Sequence, residues 1–164
     1  DHVLDIRSFG AVAQSALTAD RAIEMTERGL PSTFVPGRNL VFLIYAAAIL
    51  WTFAYDTIYA HQDREDDELI DLGSTARYFA ETTPRLLTVC YGAAVLLLGV
   101  AFYLADARIV AYVGLAAFAR QLAWQVEKFD ADDGALCLKL FKSNRDAGLM
   151  LTAGLVIDGF LKAM

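Results

Sequence analysis

From Asn39 onward, long apolar runs alternate with charged joints, a pattern that predicts helices crossing a lipid bilayer. Leu86 to Ala105 carries no charge over 20 positions, which roughly matches a 30 Å hydrocarbon core at 1.5 Å rise per residue. Asn39 to Tyr55 is a second uncharged run, bounded by Arg38 and Asp56. It carries Trp51 and Tyr55 near one end, and such rings favour the membrane–water interface. Ile109 to Val126 and Ala147 to Ile157 are weaker. Arg120 interrupts the first, and the second reaches Phe160 only across Asp158. Helices are therefore expected over Leu40 to about Ala60, Leu86 to Ala105, Ile109 to Val126 and about Arg145 to Leu161. The short joint Asp106-Ala107-Arg108 should return the third antiparallel to the second. Asp66 to Arg85 and Glu127 to Asn144 read as long polar connections. The expected fold is all-α, a multi-spanning transmembrane bundle of about four spans, with a soluble helical bundle as the alternative.

Residues 1–38 do not fit that pattern. Ala11 to Arg28 predicts a non-spanning helix ended by Gly29, followed by a break at Leu30-Pro31-Ser32-Thr33 and a turn at Pro36-Gly37. The start lacks an initiator methionine and a signal-peptide pattern, so it reads as a cut or internal fragment.

Composition agrees with the membrane reading. Hydrophobic residues make up 57% of the 164 and mean hydropathy is +0.41, whereas soluble domains average about 45–50% apolar. The net charge of −6 comes largely from one acidic stretch. No basic patch with interleaved aromatics is present, which argues against nucleic acid. Cys90 and Cys137 lie far apart and read as buried or idle thiols. Arg64, Arg77 and Arg85 fall in one long connection, and Lys128, Lys139, Lys142 and Arg145 in the other. An even number of spans separates the two, so both share a side, and the positive-inside rule makes that side cytoplasmic.

The chemistry concentrates in Tyr55 to Ala76, where Asp56, Asp63, Glu65, Asp66, Asp67, Glu68 and Asp71 crowd around Arg64. Carboxylates at that density repel one another. Asp63 and Asp67 are four apart, so on a helix they share a face, with Asp56 two turns earlier. The helix dipole opposes anions at a C-terminal end, which asks for a compensating cation. Magnesium takes one or two protein carboxylates and completes its shell with water and substrate phosphates. Asp63 and Asp67 could supply them, with Arg64, Lys142 or Arg145 neutralising a diphosphate. Spacing alone leaves a solvated acidic loop open as the alternative. Calcium is disfavoured because the D-x-[DN]-x-[DN]-G pattern is absent. His61 reads as an interfacial polar residue. Arg120 and Asp158 within spans are functional candidates by default, although snorkelling from shortened helices is preferred.

The wording Y-D-T-I-Y-A-H-Q-D-R-E-D-D followed by S-T-A resembles the second aspartate-rich motif of the UbiA superfamily of intramembrane prenyltransferases. Within it, the 4-hydroxybenzoate polyprenyltransferase branch of ubiquinone biosynthesis resembles this chain best. Cys137 to Gly148, C-L-K-L-F-K-S-N-R-D-A-G, looks like that branch's signature before its last helix. The similarity runs from about Leu40 to the end, so residues 39–164 are expected to be the C-terminal part of such a domain and 1–38 a leader unlike the family. The resemblance implies an all-helical membrane bundle with a cytoplasm-facing cavity, in the inner membrane. It also implies Mg2+-dependent transfer of a polyprenyl group from its diphosphate to 4-hydroxybenzoate. Asp63 and Asp67 are implied as metal ligands and, with Asp56, as catalytic residues. Arg64, Tyr59, Lys142 and Arg145 are implied as substrate-binding residues. The family's first motif, N-D-x-x-D-x-x-x-D, is not found here, and Asp71 and Gly73 stand where relatives carry glycine and a basic residue. The chain alone is therefore expected to be inactive, needing an N-terminal half. The alternatives are a degenerate, non-catalytic membrane fragment or a relative that prenylates another acceptor, such as homogentisate or haem.

Overall fold

A computed structural model describes residues 37–62, 73 and 75–164. The predicted helix at Ala11 to Arg28, and Asp63, Arg64 and Asp67, lie outside the described residues. The chain divides into two compact units, Asp1–Val41 and Phe42–Met164. In the first, the described residues are the opening turn of a helix, where the Val41 N–H donates to the Gly37 carbonyl at 3.0 Å. The second holds the remainder of that helix and every later element.

All regular structure among the described residues is helical: α1 (Arg38–Ala60), α2 (Thr75–Phe79), a short 3-10 turn (Ala80–Thr82), α3 (Thr83–Leu104), α4 (Ile109–Lys128) and α5 (Gly134–Ala163). The first three expected spans correspond to α1, α3 and α4 within a few residues. These three are long and apolar enough to cross a membrane. Their outer faces support that reading, since Val89, Leu96 and Tyr103 recur every seven residues along α3 and are 68%, 67% and 75% exposed. Buried positions follow helical spacing in turn: Ala111, Leu115, Phe118 and Leu122 on α4 meet Leu87, Tyr91, Ala94 and Leu98 on α3.

The α3–α4 joint returns as expected. Asp106 adopts φ 50, the left-handed conformation that aspartate tolerates. The Ala107 N–H then reaches back to the Phe102 carbonyl at 2.9 Å, closing the end of α3. Asp158 does not snorkel. It is 4% exposed and accepts the Arg108 backbone N–H at 3.2 Å, so it caps the free donors at the start of α4. Arg108 Nη1 donates to the Leu161 carbonyl at 2.8 Å and Lys162 Nζ to the Ala105 carbonyl at 3.1 Å, fastening the same end of the bundle.

The fourth helix departs from expectation. Glu127 to Asn144 reads as a polar connection, yet helix α5 begins at Gly134 and runs for 30 residues. Asp133 caps it, its carboxylate accepting the Leu136 N–H at 2.9 Å. After that cap nothing in the sequence breaks a helix, and the charges at Lys139, Lys142 and Arg145 mark one polar face rather than a loop.

Two kinds of seam hold the bundle. Between α4 and α5 the backbones touch: a Cβ on Gly114 would stand 2.9 Å from the Gly154 Cα, and one on Gly154 would stand 2.8 Å from the Gly114 Cα. Small residues at such a crossing let main chains approach closely. α1 instead meets α4 and α5 through large rings. Trp51 stands edge-on to Phe118 with centroids 5.0 Å apart, and Tyr55 and Tyr59 reach Phe141 at 5.7 and 4.8 Å.

Just past the C-terminal end of α1, the backbone meets the start of α5, where a Cβ on Gly134 would stand 3.1 Å from the Gln62 carbonyl oxygen. His61 is buried there rather than interfacial: its Nδ1–H donates to the Thr57 carbonyl at 2.8 Å, and its ring stands edge-on to Phe129 at 5.0 Å. Both thiols are free and buried, as expected. The Cys137 thiol donates to the Asp130 carbonyl at 3.2 Å. Burial, and after it the Asp133 and Asp130 carboxylates, push its pKa up to about 11.

Replacing either glycine of the close seam by alanine should destabilise the bundle. Although alanine favours helix, the added methyl meets backbone that cannot move aside, and overpacking costs about 1–3 kcal/mol. Thermal unfolding in detergent checks this; unchanged or raised stability in Gly114→Ala and Gly154→Ala would contradict the seam. Because the folded pKa of Cys137 is raised, the thiol's contribution to stability is complete below its unfolded value of about 8.5. It is lost as pH climbs through about 11. In a Cys90→Ala background, alkylation of Cys137 at pH 8 should therefore be far slower than in the unfolded chain. Equal rates would show that the site is open.

Candidate functional site

Where the wide seam holds α1 away from α4 and α5, a cavity of about 770 Å³ remains. α1 contributes Trp51 and Tyr55, α4 contributes Gln121 and Trp124, and α5 contributes Lys139 and the run Phe141 to Asp146. Four aromatic rings therefore share one space with three cations. The cations follow from helix geometry: Lys139, Lys142 and Arg145 are spaced three apart, so they rise along one face of α5. All three are exposed. Among the described residues, Arg145 pairs with its neighbour Asp146, at 3.0 Å. With Arg145 79% and Asp146 47% exposed, such a pair is worth about 0–1 kcal/mol and gives way readily to a stronger anion.

Behind the cavity a chain of buried polar groups crosses the bundle. The Tyr91 hydroxyl donates to Gln125 Oε1 at 2.7 Å, Gln125 Nε2 donates to Ser143 Oγ at 3.0 Å, and that hydroxyl donates to the Leu140 carbonyl at 2.7 Å. A second branch starts at Trp51, whose indole N–H donates to Asn144 Oδ1 at 2.8 Å. Both branches end on carbonyls of α5, so α1, α3, α4 and α5 are linked by satisfied hydrogen bonds. An apolar hollow of about 420 Å³ lies between α3 and α4, lined by Tyr91, Val95, Leu122 and Val126 among others. It holds Glu127 but no cation.

Of the residues singled out in the sequence, Lys142 and Arg145 line the larger cavity. Tyr59 packs against its Phe141 but is not in the lining. Asp56 stands exposed one turn before the end of α1, also outside the lining. Asp63, Asp67 and Arg64 lie outside the described residues. Among the described residues no group of three His, Cys, Asp or Glu side chains could hold a metal ion. The described residues bring aromatic rings and cations together in one cavity. The aromatic lining and Asn144 escape a reading of the sequence because rings at helical spacing usually mean core. The three-residue spacing of Lys139, Lys142 and Arg145 is the available signal.

Comparison with known proteins places this geometry. The UbiA prenyltransferase family matches residues 9–152. A mitochondrial 4-hydroxybenzoate polyprenyltransferase of Caenorhabditis elegans is 42% identical over 121 residues, 74% of this chain and 34% of that protein. One of Arabidopsis thaliana is 38% identical over 119 residues, 73% of this chain and 29% of that protein. A different protein, the 7-cyano-7-deazaguanine synthase of Caulobacter vibrioides, is 96% identical over 49 residues, 30% of this chain and 20% of the synthase. The chain thus spans about a third of the length of these polyprenyltransferases and a fifth of the synthase. No solved structure matches it. With the family match covering most of a chain built from long apolar helices, this protein belongs to the UbiA prenyltransferase family.

Proposed function

We propose that this chain carries the C-terminal part of an enzyme that moves a polyprenyl group from its diphosphate onto 4-hydroxybenzoate in the inner membrane. The observation that carries the reading is the single cavity shared by Trp51, Tyr55, Trp124 and Phe141 with Lys139, Lys142 and Arg145. A flat ring bearing a carboxylate and an apolar chain ending in a diphosphate both need an apolar seat beside cations. The names of the polyprenyltransferase relatives support the choice of acceptor.

In this reading Lys142 and Arg145 hold outer diphosphate oxygens, Arg145 exchanging its exposed bond to Asp146 for a bidentate one. Asp63 and Asp67 would hold magnesium, which would supply neutralisation of the leaving diphosphate. The allylic C–O bond breaks and its electron pair leaves with the diphosphate. A ring carbon ortho to the phenol and meta to the carboxylate then forms the new C–C bond, and the ring proton passes to a carboxylate or water. The aromatic walls exclude water from the allylic cation and orient the ring. Asp56 would act with Asp63 and Asp67 as a catalytic residue, Arg64 would bind the substrate, and Tyr59 steadies Phe141. The acidic segment faces the cytoplasm, as the placement of basic residues favours.

The family match begins at residue 9 and so takes in most of residues 1–38, and the 49-residue identity to the synthase is a separate similarity. At a fifth of that protein's length, the match gives no reason to assign the synthase's chemistry. A partner N-terminal half would supply the first aspartate motif.

Membranes containing this chain alone should show no prenylation of 4-hydroxybenzoate above background, and co-expression of a family N-terminal half should restore it. In that completed enzyme, Asp63→Asn with Asp67→Asn should abolish magnesium-dependent binding of polyprenyl diphosphate. Lys142→Ala should weaken binding by roughly 10-fold, the loss of one charged hydrogen bond. Retained affinity in the double variant would refute the metal assignment. Robust turnover by the chain alone would refute its incompleteness.

A further inference from the structure

Trp51 is fixed more tightly than a cavity wall requires. Its indole N–H donates to Asn144 Oδ1 at 2.8 Å, and Phe118 and Tyr55 stand edge-on to it at 5.0 and 5.8 Å. At the far end of the ring, Cη2 would lie 3.2 Å from a Cβ on Gly148. Asn144 and Gly148 are four residues apart, one turn of the same helix. The long axis of the indole therefore lies along α5, bonded at one end and passing over a missing side chain at the other. The Asn144 amide can be oriented in only one way. Its Nδ2 donates to the Leu140 and Phe141 carbonyls at 3.3 and 3.1 Å, and a flipped amide would set an N–H against the indole N–H and an oxygen against two carbonyls.

We propose that Asn144 and Gly148 are positioning residues that clamp the Trp51 indole and so set which ring the cavity accepts. This rests on the aromatic-acceptor reading above. Asn144 works through the hydrogen bond and Gly148 by leaving room for the ring. A methyl at 148 asks the indole to give by a few tenths of an ångström, and the ring yields by lengthening the Asn144 bond or shifting slightly against Phe118. Because alanine suits a helix better than glycine, the Gly148→Ala chain should fold at least as stably. Ring placement and fold stability are thereby separable.

The chain has two tryptophans, and both line this cavity. In a Trp124→Phe background of the full 164-residue chain in detergent, Trp51 emission alone reports the clamp. Without ligand, Asn144→Leu and Gly148→Ala should both lower Trp51 emission anisotropy and increase quenching by acrylamide. With 4-hydroxybenzoate as the probe, each should bind about 2- to 10-fold more weakly than the parent, the range for one hydrogen bond. Gly148→Ala should do so with an unfolding temperature equal to or above the parent's, a split that a merely structural role would not produce. Unchanged anisotropy and quenching in both variants would overturn the clamp. Unchanged 4-hydroxybenzoate affinity in the presence of a loosened indole would overturn its role in ring acceptance. Failure of both the parent and the chain with Trp124 intact to bind 4-hydroxybenzoate would overturn the functional reading and the acceptance role with it, while the ligand-free measurement would still decide the clamp.

Discussion

The spacing between helices decides everything else in this structure. At the α4–α5 crossing the absence of side chains at Gly114 and Gly154 lets two backbones touch. Around α1 the reverse holds, because Trp51, Tyr55 and Tyr59 are too large to permit a close approach to Phe118 and Phe141. Were α1, α4 and α5 all packed as closely as that crossing, no cavity of about 770 Å³ could persist. Rings that stand edge-on meet through a positive rim and a negative face, an arrangement that keeps its separation under packing pressure. The void is thus propped open by rigid groups, of which Trp51, Tyr55 and Phe141 also form its walls.

Hydrogen bonds within the bundle make that arrangement specific. In hydrocarbon each interhelical bond contributes only about 0.6–2 kcal/mol, but an unpaired polar group is costly. The Tyr91–Gln125–Ser143 chain and the Trp51–Asn144 branch both end on α5 carbonyls. A rotation of α1 about its axis would strand the Trp51 donor and the Asn144 acceptor, and one of α3 the Tyr91 donor and the Gln125 acceptor. Charge is placed with the same economy. Lys139, Lys142 and Arg145 stay on one exposed face of α5, while the aromatic groups turn inward beside them. One helix therefore supplies both the anion-binding edge and the apolar lining.

Much of this is legible in residue order. Uncharged runs mark α1, α3 and α4, since a span of apolar residues has few other solutions in lipid. The start of α5 is not legible as helix because a string of lysines and aspartates looks like a connection when read for hydropathy. The cap at Asp133 and the three-residue spacing of the cations carry the information instead. Asp158 misleads for a related reason: sequence shows a charge in a span, whereas its backbone partner at Arg108 is 50 residues away. The aspartate motif points to the family, and Lys142 and Arg145 line the cavity from α5. Trp51, Trp124 and Asn144 cannot be singled out beforehand. Their role depends on which helix stands opposite, and no local pattern records that.

The central claim is that an aromatic acid sits among the rings between α1 and α5, beside the α5 cations that hold the diphosphate. Photolabelling the chain with an azido derivative of 4-hydroxybenzoate, then mapping the adducts, tests it most directly. Adducts concentrated on Trp51, Tyr55, Trp124 and Phe141, and suppressed by unlabelled 4-hydroxybenzoate, are the predicted result. Adducts spread along Val89, Leu96 and Tyr103 on the outer face of α3, with none in the cavity, would contradict it.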